Sequence, residues 1–251
     1  MSAPVFLVPD GLLTATAAGS TVRLDGPEGR HAVTVKRVRA GERVDLTDGA
    51  GHLAECVVSG VGKDTLSCTV EKMHLVCAPV PAVTVVQALV KGDRGELAVE
   101  LMTEAGVDAI VPWAASRSIA RWDGDRAARG LARWTATARE ASKQCRRPWA
   151  ARIEPIASTA DVAQLIAGAD LAVVLHEGAS RPISELAMPA VGSVVIVVGP
   201  EGGISDEELS VFEAEPVRLG PEVVRTSTAG ALAAGVLLSR SSRWQHVGAR
   251  A

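Results

Sequence analysis

The chain has 251 residues, of which 47% are hydrophobic, and it carries a formal net charge of −3. This length allows one large domain or two modest ones, and the apolar content is ample for a core. The sequence has no run of about 18 uncharged apolar residues, and its N-terminus has no basic segment followed by an apolar one. Neither a membrane span nor a signal peptide is therefore indicated, and we expect a cytoplasmic protein without a membrane partner.

Residues 1–75 are predicted to form a small β domain, because short apolar segments alternate there with turns rich in Gly and Asp. The spacing leaves no room for crossover helices, and Asp48-Gly49 is a hairpin signal. The pattern is typical of a small barrel or sandwich. The predicted strands are 5–8, 33–38, 43–47, 53–59 and 65–70.

From residue 76 to residue 251 the pattern changes, after a proline-containing linker at 77–81. Apolar runs alternate with helical segments, which indicates an α/β domain whose parallel sheet is covered on both faces. The predicted strands are 83–90, 109–113, 171–175 and 194–198.

Residues 126–147 are predicted to form a helix with opposed apolar and basic faces. The surrounding segment 117–152 has ten basic and three acidic residues, although the whole chain is acidic. A solvated basic face is one interpretation, and contact with nucleic-acid phosphates is the other. We favour phosphate contact because so many cations with few acidic partners repel one another. The predicted phosphate-binding residues are Arg139, Lys143, Arg146 and Arg147.

The cysteines give no sign of a metal site. Cys56, Cys68, Cys77 and Cys145 show neither CxxC spacing nor pairing with histidines. This pattern favours reduced thiols over a zinc site or a disulfide framework, and we expect no metal.

A glycine-rich turn, Gly199-Pro200-Glu201-Gly202-Gly203, follows the apolar run 194–198 and precedes an acidic helix start at 205–208. A turn without bulky side chains at the carboxyl end of a parallel strand brings the backbone close to a ligand. The turn lacks the Lys-Ser/Thr ending of a P-loop and the glycine spacing of a dinucleotide site, so we expect neither ATP nor NAD there. A plain strand-to-helix turn is the alternative.

Two further strand ends, Leu175-His176-Glu177-Gly178 and the segment 219–229, have similar turn chemistry. In sequence the three loops together resemble those of the RsmE family of ribosomal RNA methyltransferases, in the knotted SPOUT superfamily. The resemblance covers nearly the whole chain and includes Lys91-Gly92-Asp93-Arg94, Arg117-Ser118 and 140–147. Two departures are Ser227 and Leu101, where the family often has Glu and Lys.

The resemblance implies a PUA-like RNA-binding β-barrel in 1–75 and a trefoil-knotted SPOUT domain in 76–251, acting as a homodimer. It also implies methyl transfer from S-adenosylmethionine (SAM) to N3 of a uracil in 16S ribosomal RNA, at position 1498 in the family. The partner is then naked 16S ribosomal RNA or the small ribosomal subunit. His31 and Arg37 are the implied RNA contacts of the barrel.

The site residues follow from the same resemblance and from the chemistry that methylation of uracil N3 requires. Arg225 is our candidate for stabilising the deprotonated imide, and Glu201 for orienting or accepting the proton, although an acidic residue near a helix start is the plainer interpretation of Glu201. The residues implied in SAM binding are Leu175, His176, Gly199, Glu201, Gly202, Leu219, Gly220, Val224, Thr226, Thr228 and Ala229.

Two other functions stay open. A SPOUT enzyme that methylates a ribose 2′-hydroxyl would have the same cofactor site. A non-catalytic RNA-binding protein would need the barrel but not the glycine loops. An oxidoreductase of the Rossmann type is remote, because no acidic ribose-binding residue follows a GxGxxG helix start.

Overall fold

The computed structural model describes residues 3–245, and these divide into two compact units. The first comprises the residues up to Ala78 together with Ser142–Ala150, and the second comprises Pro79–Ala141 and the residues from Ala151 on. The sequence pattern did not indicate that 142–150 joins the first unit.

The first unit is built on a five-stranded sheet. Its elements are β1 (Val5–Leu7), β2 (Thr21–Leu24), α1 (Gly26–Arg30), β3 (Arg43–Thr47), β4 (His52–Val61) and β5 (Leu66–Leu75), with a short 3-10 turn at Leu13–Ala15. The strand order is β1-β3-β4-β5-β2, with β1 parallel to β3 and the remaining pairs antiparallel. Alternate residues of the strands pack into one apolar core around Phe6, Leu46 and Leu66.

The strand predicted at 33–38 is wrong. The chain there forms a π-helical turn, His31–Val35, which continues α1. Pro27 presets the first turn of α1, and the Lys36 N–H donates to the His31 carbonyl at 2.9 Å. The edge strand beside β5 is instead β2, which the sequence pattern did not indicate.

The segment Ser142–Ala150 packs against the turn between β3 and β4 within the first unit. Ala50 and Trp149 form an antiparallel bridge, and the Trp149 Nε1–H donates to the Val76 carbonyl at 2.9 Å. Gly51 has a φ of +103°, and a Cβ built on it would lie 2.8 Å from the Trp149 ring. Glycine is therefore required where the indole packs.

The second unit contains a parallel sheet of six strands. Its strands are β6 (Ala82–Ala88), β7 (Ala109–Trp113), β8 (Arg152–Ile153), β9 (Leu171–Leu175), β10 (Ser193–Val198) and β11 (Pro216–Val217). Its helices are α2 (Arg94–Glu104), α3 (Asp125–Gln144), α4 (Thr159–Ala167), α5 (Asp206–Val211), α6 (Thr226–Leu238) and α7 (Ser242–Gln245), with a 3-10 turn at Ile183–Glu185.

The strand order is β11-β9-β10-β6-β7-β8, and every pair is parallel. Residues of α2, α3 and α6 pack on one face of this sheet, and residues of α4 pack on the other. The α/β fold with a parallel sheet, predicted from the alternation, is confirmed. Gly230 allows α6 to pack closely against α2, since a Cβ on Gly230 would lie 2.6 Å from the sulfur of Met102 in α2.

In the second unit, Arg243 of α7 binds residues next to β6 and β7, and we call this set of contacts the arginine clamp. The guanidinium of Arg243 in α7 binds both carboxylate oxygens of Asp108, at 2.6 and 3.1 Å, and donates to the carbonyls of Pro81 and Gly106. Asp108 also accepts from the Val83 N–H at 2.9 Å. No helix within residues 3–245 is both long enough and apolar enough to cross a membrane.

Candidate cofactor cavity and RNA-binding residues

The strand order places β11, β9 and β10 next to one another, so the three glycine-containing loops that follow them meet at one edge of the sheet. A cavity of about 700 Å³ lies over this edge. The carboxyl edge of a parallel sheet is where ligands of α/β proteins bind, and this volume is in the usual range for a small-molecule site.

Ten of the eleven residues predicted to contact the cofactor line this cavity, and so do both predicted catalytic residues. Thr228 is the exception. It lies two residues beyond Thr226, the first residue of α6, and positions two apart on a helix face different sides. The lining members of the predicted set are Leu175, His176, Gly199, Glu201, Gly202, Leu219, Gly220, Val224, Arg225, Thr226 and Ala229.

Close packing fixes the shape of the turn after β10. Gly203 has a φ of +75°, and its N–H donates to the Pro200 carbonyl at 2.9 Å. A Cβ on Gly199 would lie 2.6 Å from the Ile204 side chain. The turn then ends at a capping box, in which Ser205 and Glu208 satisfy each other's backbone N–H groups at the start of α5.

Sequence reasoning missed several charged residues of the cavity wall. Arg94 opens α2 after β6, and Arg117 lies in the loop after β7. Both stood in segments that carried the family resemblance, yet neither was assigned a role. The wall thus contains four arginines and three glutamates, which are Arg94, Arg117, Arg218, Arg225, Glu177, Glu201 and Glu222.

Arg225 has the geometry of a residue available to a ligand. It is the N-cap residue of α6, and its side chain is exposed. Within residues 3–245 its guanidinium makes no hydrogen bond or ion pair. Its positive charge is therefore free to act on a bound molecule.

The side chains whose pKa is shifted lie mostly outside the cavity wall. Burial raises the pKa of the Cys56 thiol to about 12 and that of Cys68 to about 11, so both stay protonated. The pKa of Glu207 is lowered by its own backbone N–H, then by the Ser205 hydroxyl, and least by Arg117. In the described range, 3–245, no group of three His, Cys, Asp or Glu side chains is placed to hold a metal ion.

In the first unit, the predicted RNA contact His31 is the first residue of the π-helical turn, and Arg37 lies two residues beyond its end. The half-buried His31 ring meets the edge of Phe6 with a centroid separation of 6.2 Å. Arg37 is exposed and has a φ of 56°, a left-handed conformation that is unusual for a residue with a side chain. The turn thus projects a charged side chain into solvent at a strained position.

The apolar face predicted for α3 is confirmed, since Trp134, Ala138 and Ala141 are buried. Arg139 is exposed, as a phosphate contact requires. Lys143 contradicts the prediction of a solvent-facing cation: its side chain is 6% exposed, and its Nζ lies 2.9 Å from Glu28 Oε1. A buried and paired ammonium is not available to a polyanion, so the phosphate contact predicted for Lys143 is wrong.

The helix ends at Gln144 and not at Arg147. Arg146 adopts a φ of 59°, its N–H donates to Lys143, and the Arg147 N–H donates to Ser142. This is a Schellman ending with arginine at the position that glycine usually occupies. The Arg147 Nε–H donates to the Trp149 carbonyl at 2.9 Å, and Arg146 is half-buried.

Comparison with known proteins gives a consistent result. The sequence profile described as "RNA methyltransferase domain" matches residues 77–238, and the profile "RNA methyltransferase PUA domain" matches residues 24–71. The Ribosomal RNA small subunit methyltransferase E of Mycobacterium tuberculosis is 46% identical over 239 residues, which cover 92% of this chain and 91% of that protein. The chain belongs to the RsmE family.

Other members of the RsmE family agree. The protein of the same name from Bacillus subtilis is 32% identical, and the aligned residues cover 83% of this chain and 86% of that protein. The structure of the Neisseria gonorrhoeae family member, which is described as bound to S-adenosyl methionine, has a TM-score of 0.82 at 26% identity and covers 95% of this chain and 98% of that chain. The family assignment places all the cavity-lining residues inside the methyltransferase domain.

Proposed function

We propose that this chain transfers a methyl group from SAM to N3 of a uracil in 16S ribosomal RNA, the uracil at position 1498 in the family. The observation that carries the proposal is the cavity over three adjacent strand ends, lined by the loops that define the family resemblance. An enzyme with this substrate acts where ribosomes are made, so we assign it to the cytoplasm.

The residues of the cavity fit SAM. Leu175, Leu219 and Val198 provide an apolar wall for a purine, while the glycine loops offer backbone donors and acceptors to polar groups. The N-terminus of α6, a helix of 13 residues, faces the cavity at Thr226 and favours an anionic group such as the cofactor carboxylate. Glu177 and Glu222 complement a cationic amino group.

The chain's own residues have to handle one proton and one negative charge. Uracil N3 carries a proton and lies on the Watson–Crick edge, so the base must be unpaired before it can enter the cavity. The nucleophile is the deprotonated imide, and the free guanidinium of Arg225 stabilises its charge. Glu201, exposed on the turn after β10, orients or accepts the proton. SAM supplies a methyl group that its sulfonium already activates, and no metal is required.

Electrostatic attraction supplies the RNA affinity. In the first unit, Arg37 and His31 lie at the π-helical turn, and Arg146 and Arg147 follow the end of α3. Arg139 presents its charge from the exposed face of α3. Contacts of this kind bind the phosphate backbone without reading sequence, so the cavity must provide base selectivity.

The decisive experiment uses ribosomal RNA from cells that lack the protein. Purified protein and SAM are added to naked 16S RNA and to isolated small subunits, and the modified nucleotide is mapped by mass spectrometry. A methyl group on N3 of one uracil supports the proposal, and a methyl group on a ribose 2′-hydroxyl assigns the alternative reaction. SAM binding without any methylation indicates another substrate. The absence of both SAM binding and methylation indicates a non-catalytic RNA-binding protein.

The homodimer and the trefoil knot stay predictions. The exposed leucines Leu97 of α2 and Leu232 of α6 support a second copy as the partner of these helices. Sedimentation equilibrium of the purified protein tests the dimer directly.

A further inference from the structure

The loop after β7 reaches the wall of the cavity through Arg117, which is exposed. The Arg117 Nη1–H donates to the Gly202 carbonyl at 3.4 Å, and a Cβ built on Gly202 would lie 3.3 Å from the Arg117 Cβ. The loop therefore lies directly on the glycine turn after β10, and the rest of the guanidinium remains accessible.

The buried carboxylate of Glu208 fixes this loop. Glu208 is 4% exposed, and its Oε1 accepts from the backbone N–H of Ser116 at 2.7 Å, while Oε2 accepts from the Ser205 N–H at 3.0 Å. The Thr159 hydroxyl is 3.4 Å from the same Oε1. A carboxylate bound on both oxygens has little rotamer freedom, and Ser116 immediately precedes Arg117. Glu208 thus sets the position of the arginine without facing the cavity.

Strand order separates Arg117 from the two outer loops of the cavity. Between the ends of β9 and β7 lie β10 and β6, a distance of roughly 14 Å at the usual strand spacing. The loop that carries Arg117 therefore starts at a strand end well separated from those that precede the loops after β9 and β11. A planar guanidinium at the rim of a cavity matches a phosphate, because it can donate two parallel hydrogen bonds.

We infer that Arg117 binds an RNA phosphate beside the target nucleotide and that Glu208 is its positioning residue. This inference rests on the proposed function. The phosphate contact orders the nucleotide at the entrance while the base turns into the cavity. Arg117 thereby contributes to RNA binding, and the loops that follow β9, β10 and β11 contribute to cofactor binding.

Steady-state methylation with RNA as the varied substrate tests Arg117. Arg117→Ala should raise the KM for RNA by roughly 10-fold and change kcat by less than about twofold, because the contact positions the RNA backbone and not the reacting atoms. The salt dependence of RNA binding should become shallower by about one unit of slope. Arg117→Lys should recover part of the affinity, since it keeps the charge and loses the planar fork. An unchanged KM and an unchanged salt slope would overturn the inference, while an active wild-type enzyme would leave the proposed function intact.

A second pair of variants tests Glu208. Glu208→Gln keeps the volume but leaves one acceptor oxygen for two backbone donors, so the KM for RNA should rise towards that of Arg117→Ala. Ser205→Ala is the matched control, because it removes the hydroxyl that accepts from the Glu208 N–H and leaves the contact with Ser116. If Glu208→Gln and Ser205→Ala lower the melting temperature equally and only Glu208→Gln raises the KM for RNA, the result supports a positioning role for Glu208. Equal KM values in both variants would mean that Glu208 acts only as a helix cap.

The other oxyanion that Arg117 could bind is the cofactor carboxylate, and calorimetry distinguishes the two. S-adenosylhomocysteine carries that carboxylate, whereas 5′-methylthioadenosine lacks it. Arg117→Ala should bind both compounds as the wild type does. A loss of affinity for S-adenosylhomocysteine alone would assign Arg117 to the cofactor and contradict the RNA contact.

Discussion

Replacing Arg225 with alanine should separate catalysis from stability. The guanidinium is exposed and has no partner within residues 3–245, so its removal breaks no intramolecular contact. We expect a change in unfolding free energy within about 0.5 kcal/mol, as for other surface substitutions. The rate should nevertheless fall by about 10²- to 10³-fold, the usual effect of removing a donor aimed at developing charge. Arg225→Lys keeps the charge but not the planar fork, so part of the rate should survive.

The assay is single-turnover methylation at saturating SAM and RNA over a range of pH. Raising the pH should partly restore the alanine variant, because a larger fraction of the imide is then already deprotonated. Arg218→Ala is the matched control, since it removes another exposed arginine from the same cavity wall. The reasoning fails if Arg225→Ala loses only SAM affinity, with a normal rate at saturation and no recovery at high pH.

Three further predictions concern binding and stability. Gly202→Val should abolish SAM binding in calorimetry, because a valine side chain in the cavity wall would keep the cofactor from the backbone of the turn, while circular dichroism of the β-sheet stays unchanged. An unchanged SAM affinity in this variant would mean that the cofactor binds elsewhere. Replacing Arg139 and Arg146 with Ala should make the salt dependence of RNA binding shallower by about 1–2 units of slope, and a constant slope would assign them to a solvated face. Arg243→Ala removes the ion pair of the buried Asp108 carboxylate and should cost about 3–5 kcal/mol in denaturant unfolding; a cost below about 1 kcal/mol would contradict the clamp.

The sequence predicted those features that depend on local pattern. The predicted bounds of β7 and β9 agree with the structure because each is a short apolar run that begins directly after an aspartate. The cavity was predictable because the carboxyl ends of parallel strands share one edge, so three similar strand ends indicate one site. Helical periodicity alone predicted the apolar face of α3, on which Trp134 is buried.

What the sequence did not predict depends on contacts between distant residues. No local pattern places β10 between β6 and β9, and this order brings the loops carrying Arg94 and Arg117 to the cavity. Lys143 falls on the polar side of the predicted helix, yet Glu28, which is 115 residues away in sequence, pairs with it and buries it. The predicted strand at 33–38 failed because valine and threonine favour strands, whereas Pro27 had already started a helix.

The return of residues 142–150 to the first unit bears on how the protein is made. Translation proceeds at about 5–20 residues per second, so residue 150 follows residue 78 by roughly 4–14 s. Until then the turn at Gly51 lacks the indole of Trp149 that packs against it. The nascent N-terminal portion therefore cannot complete its packing until residues 142–150, from the middle of the chain, have been synthesised. A fragment cut at residue 78 for separate expression would keep that gap permanently, whereas a fragment with 142–150 appended through a linker would fill it.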